Sequence, residues 1–195
     1  MNRVIVNLEA LRHNLEAIDR LMREYGATWS VVTKSLCGHP DTIRALHLLG
    51  AKSVADSRLD NLRAVGEASP ALEKWYLRLP HLSVIDDVVE LADVSLNTEE
   101  KVISALSEAA YRRDKLHRVV IMIELGDLRE GILPGSLTEF YRAVFAMRNI
   151  QVIGVGAQVG CLAGSVPNID QVAQLLLYKE LLELKFDHQL PVVSA

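Results

Sequence analysis

The side chains that could do chemistry in this chain stand directly after short apolar segments. These positions are Lys34-Ser35, Asp56-Ser57-Arg58, Arg78, Asn97, the segment Gly126–Gly131, the segment 158–164 and Ser194. Amine, guanidinium, amide and hydroxyl groups dominate this set, and a second cluster of acids is missing from it. This composition argues against glycoside hydrolysis, which requires two facing carboxylates.

Lys34 is the most informative of these residues. It follows an apolar segment and precedes a turn, so we expect its stem to be buried, with the amine at the end of a strand. Burial disfavours the charged form of a lysine, and a neutral amine can form a Schiff base with a carbonyl. The alternative is a lysine that pairs with a nearby acid such as Glu124 or Asp56, and the position alone favours neither.

Strand-like and helix-like segments alternate along the chain with short connections. Apolar runs predict strands at residues 4–6, 29–33, 53–56, 75–79, 94–96, 119–123, 151–159 and 191–195. Amphipathic spacing predicts helices at residues 8–22, 41–49, 59–65, 84–91, 98–113, 136–147 and 169–186. This order indicates an α/β protein with a parallel sheet, whose active site lies at the carboxyl ends of the strands. About seven strands follow the first helix, which favours a (β/α) barrel of the TIM type without its last unit over an open sheet.

Two helix starts carry capping signals. We expect Asn97 to cap the helix that follows it, with Glu100 three residues further on. Ser136 and Glu139 form a second candidate capping box.

Composition excludes several classes of protein. The 195 residues are 50% hydrophobic with a net charge of −4, which argues against a disordered chain and against a basic nucleic-acid binder. No apolar stretch is long enough for a membrane span, and no secretion signal is recognisable. Two cysteines, Cys37 and Cys161, support neither a disulfide scaffold nor a zinc site. We therefore expect a cytoplasmic protein without a metal, with one domain over residues 1–195.

Four segments, in their order along the chain, resemble one known family. They are VVTKSLCG at 31–38, ADSRLDN at 55–61, ELGDLREG at 124–131 and GVGAQVGC at 154–161. They are similar to the alanine-racemase-like (fold type III) amino-acid racemases, of the ornithine-racemase type, which depend on pyridoxal 5'-phosphate (PLP). The resemblance runs from the first strand to the last residue. It implies the barrel of the alanine racemase N-terminal domain, with PLP as cofactor.

The resemblance also implies roles for individual residues. Lys34 would hold PLP through a Schiff base and then transfer a proton at the α-carbon of the substrate. Arg129 matches the arginine that approaches the phenolic oxygen of the cofactor or the substrate carboxylate. Gln158 matches a position beside the pyridine ring, although Gly-Ala-Gln stands here where Gly-Thr-Asn is common. The other residues that we assign to cofactor binding, by their places at strand ends, are Arg78, Asn97 and Ser194.

The activity that the resemblance implies is interconversion of L- and D-amino acids, with a basic amino acid such as ornithine as substrate. Racemisation needs proton-transfer groups on both faces of the substrate, and Lys34 supplies one of them. In alanine racemases the other is a tyrosine of a C-terminal β-domain, which no tyrosine here matches, so His39 and Cys37 are the local candidates. Two alternatives stay open, a non-catalytic PLP-binding protein and an inactive fragment or assembly module.

The sequence stops in the strand that begins at Val192. In the resembled family this strand continues into a phosphate-binding turn, so we expect the last βα unit, most of the phosphate site and the C-terminal β-domain to be missing. An unclosed barrel exposes a strand edge and apolar surface. We therefore expect a homo-oligomer, a dimer, that binds a small amino acid and neither nucleic acid nor membrane.

Overall fold

Strands and helices alternate along the chain, as the sequence predicts. The structure is a computed structural model that describes residues 5–160 and 166–195. In these two ranges there are seven strands: β1 (Val31–Val32), β2 (Ser53–Asp56), β3 (Glu73–Tyr76), β4 (Val94–Asn97), β5 (His117–Met122), β6 (Ile150–Gly156) and β7 (Val192–Ser194). The same ranges hold seven α-helices: α1 (Leu8–Glu24), α2 (Pro40–Leu48), α3 (Leu59–Ala68), α4 (Ile85–Leu91), α5 (Glu100–Arg112), α6 (Leu137–Val144) and α7 (Ile169–Phe186).

The first of two compact units comprises the chain up to residue 78, together with residues 91–93. Its strands pair in parallel in the order β1-β2-β3, with Val31 beside Val54 and Ala55 beside Trp75. Leu15 of α1 and Ile43 of α2 pack with Val54 in one buried hydrophobic cluster. Because all three strands run in the same direction, their carboxyl ends lie at one edge of this sheet.

The second compact unit comprises residues 79–90 and 94–195. Its strands pair in parallel in the order β4-β5-β6-β7. The consecutive apolar residues 119–121 of β5 are fully buried, as expected for a parallel strand covered on both faces. Register shifts by one residue between β5 and β6, since Val119 pairs with Val152 and Val120 with Gly154. The expectation of a single domain over residues 1–195 stays a prediction.

Neither predicted capping box forms, although α6 does begin directly after Ser136. Asn97 is the last residue of β4 and is fully buried, so its side chain faces the interior, and Glu99 takes the position before α5. Ser136 ends a 3-10 turn with helical backbone angles and makes no capping hydrogen bond. A cap needs an extended backbone at that position. Asn168 has one, and it forms a capping box with Gln171 at the start of α7.

The first predicted strand is not found in the described part of the chain. Ile5 and Val6 have no regular secondary structure, and Val4 lies outside the described residues. No helix within residues 5–160 and 166–195 is both long enough and apolar enough to cross a membrane.

Candidate functional site

Lys34 opens a 3-10 turn, Lys34–Leu36, directly after β1. The prediction that its stem is buried is wrong, because the residue is exposed. Strand β1 has only two residues, so Thr33 takes the buried position at its end and Lys34 already belongs to the turn. Within residues 5–160 and 166–195 the Lys34 amine makes no hydrogen bond or ion pair, which leaves it available to a ligand.

Asp56 ends β2 and is fully buried. Its carboxylate accepts hydrogen bonds from Thr33 Oγ1 at 2.9 Å and from the Arg58 backbone N–H at 3.0 Å. Asn61 Nδ2 donates to both carboxylate oxygens, at 3.1 and 3.2 Å. The carboxylate that the sequence offered as an ion-pair partner for Lys34 is therefore occupied by other donors.

The far end of the lysine turn packs against α3. Cys37 and Gly38 both have left-handed backbone angles, with φ of 48° and 71°. A Cβ atom on Gly38 would lie 3.0 Å from Ala64 Cβ, so the close approach and the positive φ both favour glycine. His39 Nδ1 accepts the Thr42 backbone N–H at 3.3 Å and thereby caps α2. The His39 ring is thus held at the helix start, five residues after Lys34.

Arg78 follows β3 at the same edge of the first unit. The residue is exposed, and its charge acts on the buried Tyr76 at the end of the strand. Burial raises the pKa of Tyr76, and the nearby Arg78 guanidinium opposes that rise. The structure thus puts a cation at the carboxyl end of β3, as the strand order predicts.

Asn97 carries an unsatisfied acceptor at the carboxyl end of β4. Its Nδ2 donates to the backbone carbonyl and to Oγ of Ser95, both at 3.0 Å. Ser95 Oγ in turn lies 2.8 Å from His117 Nε2. Asn97 Oδ1 is buried without a partner among the described residues. Because buried acceptors are nearly always hydrogen-bonded, this atom is suited to a donor from a ligand.

Arg129 lies in a closed loop after β5. The base of the loop is joined by a hydrogen bond from Glu124 N to Ile132 O, 3.0 Å long. Glu124 Oε1 accepts two further backbone N–H groups inside the loop, at 2.5 and 3.0 Å. A Cβ atom on Gly131 would lie 2.3 Å from Glu124 N, so the two sides of the loop are in backbone contact. This loop holds Arg129 on a short, internally bonded segment.

Gln158 follows β6, and Ser194 is the last residue of β7. Ala157, the first residue after β6, donates its N–H to the Ser194 carbonyl at 2.9 Å. Gln158 comes next and is half-buried, as is Ser194. Cys161, which also belongs to the fourth resembling segment, lies outside the described residues.

Each predicted site residue therefore lies at or just beyond the carboxyl end of a strand. The first unit carries Lys34 and Arg78 after β1 and β3. The second unit carries four, at or after β4 to β7: Asn97, Arg129, Gln158 and Ser194. The sequence offered Asp56 and Glu124 as possible partners for Lys34, whereas the structure gives each a different set of partners. Among the described residues, no three His, Cys, Asp or Glu side chains are grouped to hold a metal ion.

Comparison with known proteins identifies the family. The model of the alanine racemase N-terminal domain matches residues 6–195. The chain belongs to this family. Ornithine racemase of Acetoanaerobium sticklandii is 33% identical over 193 residues, which are 98% of this chain and 54% of that protein. Lysine racemase of Thermotoga maritima is 26% identical over 192 residues, 98% of this chain and 53% of that protein.

A solved structure supports the same fold. The structure of PipY from Synechococcus elongatus PCC7942 with PLP bound matches with a TM-score of 0.76 at 14% identity, covering 91% of this chain and 87% of that one. The family prediction and the predicted fold class are confirmed, since parallel strands alternate with helices as in the barrel of the alanine racemase N-terminal domain. The chain spans about half the length of the curated relatives that it matches.

Proposed function

We propose that this chain is the PLP-binding barrel of an amino-acid racemase and that Lys34 holds the cofactor. The observation that carries the proposal is the exposed Lys34 amine, which lies at the carboxyl end of β1 and has no partner among the described residues. Family membership supports the reaction class, and PipY, a protein with this fold, has been solved with PLP bound. The relatives named for ornithine and lysine support a basic amino acid as the substrate.

The residues at the strand ends suit the functional groups of PLP. Lys34 would bind the aldehyde through Nζ, with loss of water, and would hold or return a proton at the substrate α-carbon. Arg129 would direct charge-assisted donors at the phenolic oxygen or at the substrate carboxylate. The unsatisfied Asn97 Oδ1 can accept a hydrogen bond from a ligand. When bound, PLP supplies the electron sink for the electrons left at the α-carbon.

The remaining assigned residues would contact the periphery of the cofactor. Gln158 would lie beside the pyridine ring, while Ser194 and Arg78 offer a hydroxyl group and a cation for the phosphate. Dimer formation and a cytoplasmic location stay predictions.

Covalent labelling tests the assignment of Lys34. The purified chain is incubated with PLP and reduced with borohydride, and the modified peptide is located by mass spectrometry. We expect one stable pyridoxyl group on Lys34 and none in Lys34→Ala. Lys52→Ala, which removes an exposed lysine of the same unit, is the matched control and should label like the wild type. Labelling spread evenly over the lysines, or unchanged in Lys34→Ala, would refute the proposal.

Proton exchange separates a racemase from a protein that binds PLP without racemising. L-Ornithine is incubated with the PLP-loaded chain in D₂O, and the α-carbon is followed by NMR together with the appearance of the D-enantiomer. A racemase introduces deuterium and forms D-ornithine, and both signals should disappear in Lys34→Ala. A chain that is labelled at Lys34 but exchanges no α-proton of ornithine or lysine is a PLP binder.

A further inference from the structure

We propose that Asp56 is a positioning residue, which fixes the turn that carries Lys34. The inference rests on the proposed function, because that proposal assigns Lys34 to the cofactor. The statement that Asp56 fixes the conformation of the turn does not depend on it. Asp56 contacts neither substrate nor cofactor in this proposal and acts through Thr33, the residue that precedes the lysine.

The surroundings of Asp56 are unusual for a carboxylate. It is fully buried, yet the four hydrogen bonds that it accepts come from neutral donors: a hydroxyl group, a backbone N–H and the amide of Asn61, which donates to both oxygens. Burial of a charged group costs free energy unless the group is well hydrogen-bonded. The fold can therefore bury the Asp56 carboxylate only because these donors are bonded to it. The carboxylate thereby joins Thr33 to the start of α3, which supplies the other donors.

Thr33 connects this cluster to Lys34. Its backbone N–H donates to the Ala55 carbonyl at 2.9 Å and its side chain to Asp56 at 2.9 Å, so both parts of the residue are bonded to β2. Its carbonyl accepts the Leu36 N–H at 2.9 Å, which closes the 3-10 turn over Lys34. The start of the turn is therefore joined to Asp56 through one residue.

The other end of the turn is held by the helix that carries Asn61. Gly38 approaches α3 so closely that a Cβ atom on it would lie 3.0 Å from Ala64 Cβ and 3.6 Å from Asn61 Cα. Lysine has a long, flexible side chain, and the Lys34 amine has no partner among the described residues. The placement of its backbone by Thr33 and Gly38 thus determines where the amine can reach.

An ion pair between Asp56 and Lys34 would have the opposite effect, since it would occupy the amine. The geometry favours the positioning role, because both Asp56 oxygens are bonded to other donors and the lysine side chain is exposed while the carboxylate is buried.

Thr33→Val tests the connection with little change in shape, because it removes the hydroxyl group and keeps a β-branched side chain. Exchange of the Thr33 and Leu36 amides is measured in the PLP-free chain, and the PLP concentration that half-saturates borohydride labelling of Lys34 is measured alongside. Loss of one hydrogen bond to a charged group changes an equilibrium constant by about tenfold. We expect about tenfold faster exchange at these two amides and a half-saturating concentration raised about tenfold.

Ser107→Ala is the matched control. It removes a buried hydroxyl group of the second unit that makes one hydrogen bond, to the Arg148 carbonyl at 2.6 Å. This variant should lose overall stability without a change in either readout at the lysine turn. If Thr33→Val also leaves both readouts unchanged, or if both variants change them equally, the positioning role is overturned.

A double variant in which the residue types at positions 56 and 61 are swapped provides a rescue. Asp56→Asn places two amide groups together and should loosen the turn at least as much as Thr33→Val. Adding Asn61→Asp restores a donor and an acceptor in reversed order and should recover slow exchange at Thr33 and Leu36. If Asp56→Asn does not fold, Thr33→Val decides the question. If the wild type fails to label at Lys34, the proposed function is wrong, while amide exchange in the PLP-free chain still decides whether Asp56 orders the turn.

Discussion

Replacing Gly131 by alanine should open the loop that carries Arg129. Gly131 has a φ of 153°, and a Cβ atom there would lie 2.3 Å from Glu124 N and 2.6 Å from Glu124 Cα. These are backbone atoms, which no side-chain rotation can move away. The substitution can be accommodated only if the two sides of the loop separate.

The expected loss follows from two contributions. A residue other than glycine at this positive φ adds about 1–3 kcal/mol of backbone strain to the folded state. Separation of the loop also breaks the hydrogen bonds from Glu124 N to Ile132 O and from Ile132 N to Met122 O, of 3.0 and 2.8 Å. Each contributes about 1 kcal/mol net. Together these contributions predict that the free energy of unfolding falls by about 3–5 kcal/mol.

Urea unfolding followed by circular dichroism measures this loss, with Gly135→Ala as the control. Gly135 lies in the 3-10 turn Pro134–Ser136, and a Cβ atom there meets nothing within 4 Å. Alanine at such a site reduces the entropy of the unfolded chain, so Gly135→Ala should be neutral or should stabilise by up to about 1 kcal/mol. If Gly131→Ala is as stable as Gly135→Ala to within about 1 kcal/mol, the backbone contact across the loop is not as described.

Two further predictions concern the packing of α6 and α7. Tyr141 is fully buried, with its hydroxyl group bonded to His188 Nδ1, so Tyr141→Phe should lower the free energy of unfolding by about 1–2 kcal/mol in urea titrations. Tyr111→Phe, at an exposed tyrosine, should change it by less than about 0.5 kcal/mol, and equal losses would contradict this account. The hydrogen bond from Lys179 lowers the pKa of Glu183. The ionised Glu183 carboxylate therefore stabilises the fold fully above the ordinary carboxyl pKa, and this stabilisation is lost as the pH falls through the lowered pKa. The difference in urea midpoint between the wild type and Glu183→Gln should therefore shrink from pH 7 to pH 3, and a constant difference would show that the charge of Glu183 is not involved.

Hydrophobic periodicity was sufficient to predict the order of the elements that position the site. It predicted β2 and α7 with the bounds that the structure has, because each is a continuous pattern with a clear turn or cap beside it. It failed where the end of an element depends on contacts that are distant in sequence. Asn97 has the residue type of a helix cap, but pairing with β5 extends β4 as far as Asn97 and buries its side chain.

The same limit explains what the sequence could not predict about Lys34. Position alone left two interpretations open, a buried amine and an amine paired with Asp56 or Glu124. In the structure the lysine is exposed, and Asp56 is bonded instead to Thr33 and Asn61. The bonds from Arg58 and Asn61 are local, two and five residues from Asp56, whereas Thr33 is 23 residues away and only the fold brings it to the carboxylate.

The partners of Asp56 also bear on the chemistry proposed for Lys34. A carboxylate at the end of the strand beside a lysine can hold its amine as an ammonium ion pair, which hinders attack on an aldehyde. Here the Asp56 carboxylate is buried, and its oxygens accept hydrogen bonds from Thr33, Arg58 and Asn61. It can therefore fix the backbone before Lys34 without forming an ion pair with the amine. It follows that Asn61→Ala, which removes one of these donors, should affect Lys34 in a defined way. We expect the carboxylate, freed from Asn61, to turn to the lysine, so that borohydride labelling at Lys34 needs more PLP at pH 7 than in the wild type. If labelling of Asn61→Ala matches the wild type while the exchange of the Thr33 amide is faster, the amine is available for reasons unconnected with Asp56.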